Sequence, residues 1–208
     1  GKIASSVITG ICASRISFQK ILVSPRNRNI AQKLKKKFRK VNIAKTNQEI
    51  VDKCNWVFLA VTPQVGEKIL PKLNYRSSQT IVNFISTIGN SQLKKYVKVK
   101  AKIVRVLPLP PIALRKGPVP ICPPNKRVKM FFNHLGTAVE ISNEKLFTNF
   151  WCMTAMMAPY YEILNTLSKW LSSKGLKKTD TQKYITSLFS AMSEDAVVNS
   201  KKDLKILV

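Results

Sequence analysis

The first residues of the sequence have the composition of a turn that could bind an anion. Gly1 is followed by Lys2 and Ile3, and the apolar residues after them are spaced as on one face of a helix. A glycine-led turn at a helix N-terminus lets backbone N–H groups face a negatively charged group. Gly1, Lys2 and Ile3 are therefore candidates for binding the pyrophosphate of a dinucleotide, although a plain N-terminal helix would explain the same residues.

A second group of candidates follows the next apolar run. Ser24 ends that run, and Pro25, Arg26, Asn27 and Arg28 come after it. In dinucleotide-binding folds an Asp or Glu near this place binds the ribose 2′-hydroxyl of NAD, whereas an Arg accommodates the 2′-phosphate of NADP. Because no carboxylate is present here, Ser24, Arg26 and Asn27 are predicted to bind NADP(H) in preference to NAD(H). The alternative is an ordinary basic loop in a basic protein.

A third group lies at the end of a strongly apolar run. The residues Ala60, Val61, Thr62, Pro63 and Gln64 follow a segment that reads as a buried strand. Ligands of open α/β sheets bind at the carboxyl ends of strands, so Ala60, Val61, Pro63 and Gln64 are also candidates for cofactor binding. Pro63 is equally suited to the first position of a helix, and the two interpretations are compatible.

Alternating apolar and amphipathic segments must position these candidates. Such alternation favours a Rossmann-type α/β fold, with a doubly wound and mostly parallel sheet. The segment 119–122 is expected to be an edge strand, Gly136 is expected to cap the preceding helix, and Thr46 to Glu49 resembles a capping box. The predicted strands are 20–24, 41–44, 56–61, 80–85, 103–107, 119–122 and 137–141, and the main predicted helices are 1–14, 27–38, 63–73, 91–96 and 125–135.

Beyond residue 142 the pattern becomes helical throughout. Residues 143–174 end at Gly175, and residues 179–199 form a further helical stretch. This change predicts a dinucleotide-binding domain over 1–142 and a smaller all-helical domain over 143–208 for substrate binding and dimerisation. A strand is expected before Gly1, and Val208 is expected to fall within an unfinished element.

The composition limits the possible functions. The 208 residues include 36 Lys and Arg against 10 Asp and Glu, which gives a net charge of +26. Such charge suggests nucleic-acid binding, but the basic residues are spread along the chain and no nucleic-acid-binding motif is evident. A lysine-rich surface with an anionic ligand is the favoured interpretation, and nucleic acid is kept only as a lesser alternative.

The cysteines and the hydropathy pattern exclude other classes. Cys12, Cys54, Cys122 and Cys152 lie far apart and His134 is the only histidine, so no metal site is expected. His134 is expected on a surface, away from the cofactor cleft. No apolar run is long enough to cross a bilayer, and no signal peptide is evident, so a cytoplasmic protein without a membrane partner is expected.

Several short sequence motifs occur in the same order as in one known family. After Ala60 to Gln64 come Val104-Arg105-Val106-Leu107-Pro108, then Glu144-Lys145-Leu146, and then Ala158-Pro159-Tyr160. Their order and spacing resemble the pyrroline-5-carboxylate reductase family. In that comparison Gly1 is the second glycine of the dinucleotide-binding turn, and Ala4 fills the third small position.

The resemblance implies an activity, a cofactor and an assembly. It implies an NADP(H)-dependent oxidoreductase that reduces a cyclic imine or a related small substrate by hydride transfer, as in proline biosynthesis. It marks Asn47 as a contact to the adenosine half of the cofactor. It also implies a homodimer or higher homo-oligomer that forms through the helical domain.

The motifs that bind substrate in that family are altered in this sequence. Leu109-Pro110-Pro111 replaces Asn-Thr-Pro, and Ala155 to Tyr161 replaces Ser-Gly-Ser-Gly-Pro-Ala-Tyr. A polar Thr of the last helix corresponds to Leu188, with Thr186 and Ser187 nearby. The residues expected to line the substrate site are Met156, Met157, Ala158 and Pro159, which would make the site apolar and adaptable.

The sequence leaves the proton donor and the activity open. Thr154, Tyr160 and Tyr161 carry hydroxyl groups near the expected substrate site, and water is a further candidate. The catalytic residue is therefore unassigned, with Thr154 and Tyr160 as weak candidates. The alternative to a reductase is a dinucleotide-binding regulatory protein that has lost the ancestral catalysis.

Overall fold

The computed structural model describes residues 1–207, and it confirms the expected alternation of strands and helices. Val208, which belongs to the predicted helical domain, lies outside the described residues. The chain divides into two compact units, Gly1–Trp151 and Cys152–Val208, so the first unit continues past residue 142. The strands are β1 (Ile21–Val23), β2 (Val41–Ile43), β3 (Trp56–Leu59), β4 (Thr80–Asn83), β5 (Lys102–Val106), β6 (Pro118–Cys122) and β7 (Thr137–Glu140).

Helices follow most of these strands. The α-helices are α1 (Lys2–Ala13), α2 (Arg28–Lys37), α3 (Asn47–Lys53), α4 (Pro63–Ile69), α5 (Asn90–Val97), α6 (Lys126–Asn133), α7 (Glu144–Met153), α8 (Met157–Ser173) and α9 (Lys178–Val198). Short 3₁₀ helices span Leu70–Lys72, Pro110–Leu114, Thr154–Met156 and Leu204–Leu207.

The strands of the first unit form two separate ladders. A five-stranded sheet has the order β3-β4-β5-β6-β7, and β1 pairs with β2 in a two-stranded sheet. All pairs are parallel except β5 with β6, which confirms a mostly parallel sheet. Within residues 1–207, neither β1 nor β3 pairs with a second strand, so each leaves one edge open.

The expectation that 119–122 is an edge strand is wrong. β6 lies between β5 and β7, with Val106 opposite Ile121 and Val119 opposite Ala138. Prolines are usually confined to edge strands because they lack an N–H donor. Here Pro120 takes part through its carbonyl oxygen, which accepts a hydrogen bond from the Leu107 N–H at 3.1 Å.

Side chains of the central strands alternate between two apolar clusters. Val82 and Val104 pack in one cluster with α1 and α6, whereas Ile81 and Ile103 pack in the other with α3 to α5. Successive residues of a strand point to opposite faces, so the sheet is covered by helices on both sides. This arrangement is the doubly wound Rossmann-type fold that the sequence predicts.

Several helices begin where capping residues indicate. The Asn27 side chain accepts a hydrogen bond from the Ile30 N–H at 3.2 Å, and the Asn125 side chain caps α6 in the same way. Thr46 caps α3 through the Glu49 N–H, while the Glu49 carboxylate binds the N–H of Lys45. These bonds satisfy N–H groups that have no partner inside the helix.

Gly136 does not cap α6 as expected. The helix ends at Asn133 and its C-cap is His134. A Cβ at Gly136 would lie 2.5 Å from the Gly117 carbonyl oxygen, and Thr137 donates a hydrogen bond to that same oxygen. Glycine is therefore required here for the close approach of two backbone segments.

The second unit is helical, as the sequence predicts. α8 and α9 are joined by a turn at Gly175, whose φ of +92° is in the left-handed region. Their contact includes a hydrogen bond between the hydroxyls of Ser172 and Thr181 at 3.2 Å. Most other side chains of these helices are exposed, so the unit has little core of its own.

Candidate functional site

A deep cleft lies between the open edges of β1 and β3 in the first unit. We call it the β1–β3 cleft, and its volume is about 850 Å³. One end, at the carboxyl ends of the two strands, is bordered by six of the predicted cofactor residues, and we call it the cofactor end. These residues are Gly1, Ser24, Arg26, Asn27, Ala60 and Val61.

Hydrogen bonds fix the loop after β1 at the cofactor end. The Ser24 hydroxyl donates to the Asn47 side-chain oxygen at 2.7 Å and accepts from the Arg26 N–H at 3.3 Å. Asn47 therefore joins the site through Ser24, although it does not border the cleft itself. Because Asn27 caps α2, both ends of this loop are held and the Arg26 backbone has a defined position.

The Arg26 guanidinium lies near the start of α1. Both Gly1 and Arg26 border the cofactor end of the cleft. A Cβ added at Gly1 would meet no atom within 4 Å. Arg26 is exposed, and no ion pair among the described residues involves it. Its charge can therefore meet an anionic ligand at this end of the cleft.

Besides Asn47, four predicted cofactor residues lie outside the cleft lining. Lys2 is exposed, and Ile3 packs against the apolar cluster under α1. Pro63 occupies the first turn of α4, where its missing N–H has no helical partner to lose, and Gln64 is exposed. The side chains of these residues are not brought to the cofactor end.

His134 lies closer to the cleft than the sequence indicates. It is exposed, as expected, but it borders the apolar part of the β1–β3 cleft together with Met130 and Phe131. The reason is that α6 packs beside β3, which the local sequence around His134 cannot reveal.

The predicted substrate residues belong to the second unit. Thr154 and Met156 form a 3₁₀ turn, and Met157, Ala158 and Pro159 open α8. Met156 is 58% exposed, and Tyr160 packs edge-on against Phe189 with ring centroids 5.8 Å apart. A shallow apolar depression lies beside them, bordered by Pro159, Glu162, Ile163, Thr166 and Leu167.

One polar cluster of the first unit has no role predicted from the sequence. Arg105 of β5 binds Glu144 of α7 at 3.1 Å, donates to the Ser86 carbonyl, and stacks over Phe147. Glu144 also accepts from the Asn90 N–H at 2.9 Å. Both charged residues belong to sequence motifs that carry the family resemblance. Their pairing across 39 positions is visible only in the fold.

No group of His, Cys, Asp and Glu residues within 1–207 could hold a metal ion. The cysteines are free, and burial raises the pKa of the Cys54 and Cys122 thiols. Within the same range, no helix is long and apolar enough to span a membrane.

Comparisons with known proteins agree with this geometry. Residues 1–87 match a family described as NADP oxidoreductase coenzyme F420-dependent. A pyrroline-5-carboxylate reductase of Corynebacterium melassecola is 24% identical over 122 residues, which is 56% of this chain and 45% of that protein. Pyrroline-5-carboxylate reductase 3 of Xenopus laevis is 28% identical over 125 residues, which is 57% of this chain and 44% of that protein.

Solved structures show the same fold. The pyrroline-5-carboxylate reductase of Streptococcus pyogenes has a TM-score of 0.83 at 20% identity, covering 100% of this chain and 80% of that one. The Plasmodium falciparum enzyme with NADP bound has a TM-score of 0.83 at 21% identity, covering 100% and 79%. The chain is thus similar to pyrroline-5-carboxylate reductases in sequence over about half its length, and in fold over all of it.

These sequence matches are partial. They span less than half the length of the curated relatives, 45% of one and 44% of the other. They support an NAD(P)-dependent oxidoreductase fold, with the dinucleotide-binding unit first and a helical region after it.

Proposed function

We propose that the chain is an NADP(H)-dependent reductase of the pyrroline-5-carboxylate reductase type. It reduces a cyclic imine or a related small substrate, in a reaction that serves proline biosynthesis. The proposal rests on the cofactor end of the β1–β3 cleft, where Gly1, Ser24, Arg26 and Asn27 meet. NADP bound to the Plasmodium falciparum relative supports the same cofactor class.

The absence of a carboxylate at the end of β1 carries the preference for NADP(H). Ser24 occupies the place where an Asp would bind the ribose 2′-hydroxyl, and it instead fixes Asn47 and the Arg26 backbone. The Arg26 guanidinium is exposed beside this loop, with a geometry suited to a phosphate. The ribose of NADP(H) would lie against Ser24 and its 2′-phosphate against Arg26, while the pyrophosphate would face the first turn of α1.

The chain's own residues bind and orient the cofactor and the imine, and they protonate the imine nitrogen. The electrons come from the cofactor. When bound, NADPH would supply the hydride that forms a C–H bond at the imine carbon. The imine nitrogen then takes a proton, and the products are NADP⁺ and a cyclic secondary amine. Hydroxyls of Thr154 and Tyr160 are the candidate proton donors, beside an apolar surface formed by Met156 and Met157.

Titration of NADPH into the full-length protein and its Arg26→Ala variant tests the proposal. One charge-assisted contact at an exposed site contributes about 1.5 kcal/mol, so the variant should bind NADPH about tenfold more weakly. NADH binding should not change, since NADH lacks the 2′-phosphate. The matched control is Arg39→Ala, which removes the same charge from an exposed position outside the cleft lining. Equal losses of NADPH affinity in the two variants would show that Arg26 acts only through the overall positive charge. That result would refute its assigned role.

A second candidate function is dinucleotide binding without catalysis. The replacement of the family's polar substrate phrase by Met156, Met157 and Ala158 favours it. Consumption of NADPH with a cyclic imine such as pyrroline-5-carboxylate distinguishes the two functions. Turnover would exclude the regulatory protein, while tight NADPH binding without turnover of any cyclic imine would favour it.

The net charge of +26 keeps nucleic-acid binding as a lesser alternative. Binding to duplex DNA at physiological salt, with a steep loss as salt rises, would support it. We expect no such binding under these conditions.

We propose further that the second unit forms a homodimer. Trp170, Tyr184 and Met192 are 58%, 62% and 58% exposed on α8 and α9, which is unusual for large apolar side chains. Light scattering at micromolar concentration should give at least a dimer, and Trp170→Glu should shift it towards monomer. A monomeric unmodified protein at that concentration would contradict the proposal.

A further inference from the structure

We propose that Arg105 and Glu144 are positioning residues, which hold the loop between β4 and α5 where it can contact the nicotinamide half of the cofactor. The loop comprises residues 84–89, and we call it the β4–α5 loop. The proposal rests on the proposed function, because it takes NADP(H) as the cofactor. All the residues that carry it belong to the first unit.

The β4–α5 loop lies beside the cofactor end of the β1–β3 cleft. Leu59 of β3 is opposite Asn83 of β4, and the Phe84 N–H donates to the Leu59 carbonyl at 3.0 Å. The loop therefore begins next to the residues after β3 that border the cofactor end. A dinucleotide binds across the carboxyl ends of the strands, so a cofactor with its adenosine half beside β1 would extend its nicotinamide half towards β4. The loop tip, Thr87, is exposed there.

Side chains of β4 and β5 hold this loop at three points. The Asn83 side chain accepts a hydrogen bond from the Ile85 N–H at 2.9 Å and donates one to the Ile88 carbonyl at 2.7 Å. Arg105, which lies opposite Asn83 in the sheet, donates to the Ser86 carbonyl. The two strands therefore fix the loop backbone on both sides of its exposed tip.

The Glu144 carboxylate joins the end of the loop to the Arg105 side chain. Its Oε1 atom accepts hydrogen bonds from the Asn90 N–H at 2.9 Å and from the Arg105 guanidinium at 3.1 Å. Asn90 is the first residue of α5, so the negative charge lies at a helix N-terminus, where it is favourable. Phe147, one turn further along α7, covers the guanidinium with its ring centroid 4.7 Å from Cζ.

The geometry of this pair matters more than its contribution to stability. The exposed fractions of the Arg105 and Glu144 side chains are 11% and 33%. A buried ion pair is often no more stable than apolar side chains of the same volume, so stability alone does not explain the pair. An arginine can donate in two fixed directions, here to α7 and to the β4–α5 loop, and this is what positioning the loop requires.

The test separates the two halves of the cofactor. The full-length protein is titrated with NADPH and with adenosine 2′,5′-bisphosphate, which has only the adenosine half and its 2′-phosphate. Arg105→Lys keeps the charge and loses the planar fork, and Glu144→Gln keeps the shape and loses the charge. In both variants the dissociation constant of NADPH should rise about tenfold, and that of adenosine 2′,5′-bisphosphate should change less than about twofold.

Glu140→Gln is the matched control. The Glu140 carboxylate also accepts from a backbone N–H at a helix start, that of Asn125 at 3.0 Å, and from a cation, Lys129 at 2.8 Å. It lies on β7, the strand of the five-stranded sheet that is farthest from β3. This variant should leave both dissociation constants unchanged. A loss of NADPH affinity equal to that of Glu144→Gln would overturn the proposal, because any ion pair would then have the same effect.

Amide hydrogen exchange of the protein without cofactor measures how firmly the loop is held. The amides of residues 84–90 should exchange faster in Arg105→Lys and Glu144→Gln than in Glu140→Gln. Unchanged exchange in the first two variants would overturn the proposal, whatever their affinity for NADPH.

The binding outcomes distinguish this proposal from the proposed function. Unchanged NADPH affinity in both variants, or equal losses for the two ligands, would overturn the positioning role and leave the cofactor assignment intact. Failure of the unmodified protein to bind either ligand would refute the proposed function and the positioning role with it.

Discussion

The substitution Gly10→Ala tests whether α1 packs as closely on the first unit as its geometry indicates. Gly10 is buried, and an added Cβ would lie 2.4 Å from the Ile112 carbonyl oxygen. Ordinary contact begins at 3.4 Å, so either α1 or the 3₁₀ segment Pro110–Leu114 must move by about 1 Å (3.4 minus 2.4). The obstacle is backbone, which cannot rotate away as a flexible side chain could.

Two effects with opposite signs determine the magnitude. Overpacking in a close-packed interior costs up to about 3 kcal/mol, and a rigid backbone obstacle places this contact at the upper end. Replacing glycine by alanine inside a helix stabilises by about 1 kcal/mol. The free energy of unfolding should therefore fall by about 2 kcal/mol, which lowers the unfolding midpoint by about 4–8 °C in a chain of this size.

Thermal and denaturant unfolding, followed by circular dichroism, measure this change. Gly1→Ala is the matched control because its Cβ would meet no atom within 4 Å. It replaces a glycine at the N-cap of α1, so it should lower the midpoint less than Gly10→Ala does. A Gly10→Ala midpoint equal to or above that of the unmodified protein would refute the close packing of α1 against Ile112.

Three further predictions concern charged groups. Ser24→Asp should weaken NADPH binding and strengthen NADH binding, because a carboxylate binds the free 2′-hydroxyl and repels a 2′-phosphate. Parallel titrations measure both affinities, and an unchanged ratio of the two dissociation constants would contradict the prediction. Glu144→Gln should destabilise the first unit by about 1–3 kcal/mol in denaturant unfolding, because the largely buried Arg105 side chain loses its carboxylate partner; no change would show that the pair is dispensable. The hydrogen bond from Lys129 lowers the pKa of Glu140, so Lys129→Met should raise that pKa in an NMR titration, with an unmoved value as the contrary result.

Local rules predicted the elements of the first unit well. Asn27, Thr46 and Asn125 begin helices because a side-chain acceptor three residues before an N–H satisfies it within the same turn. Apolar runs likewise predicted strands such as Thr80–Asn83, all of whose residues are buried. Such features depend on neighbouring residues, so the sequence contains most of the necessary information.

The failures arose where distant segments meet. Residues 119–122 were expected to form an edge strand, but this strand is central, and the Pro120 carbonyl accepts a hydrogen bond from Leu107. Gly136 was expected to cap a helix because glycine is common at that position. Glycine is required there because a Cβ would collide with the Gly117 carbonyl oxygen. The pairing of Arg105 with Glu144 likewise depends on tertiary packing that no local pattern encodes.

The candidate site was predicted in part for the same reasons. Gly1, Ser24, Arg26 and Asn27 meet at one end of the cleft, as expected from the rule that carboxyl ends of parallel strands share an edge. Asn47 reaches the site only through its hydrogen bond to Ser24, 23 positions away. The apolar remainder of the cleft was not predicted, because it is formed by the break between the two ladders.

The ratio of the NADPH and NADH dissociation constants of the unmodified full-length protein tests the central claim most directly. Calorimetric titration under identical salt and pH gives both constants. The account predicts saturable binding of both, with NADPH at least about tenfold tighter because only NADPH offers a phosphate to Arg26. Equal affinities, tighter NADH binding or no binding of either cofactor would contradict it.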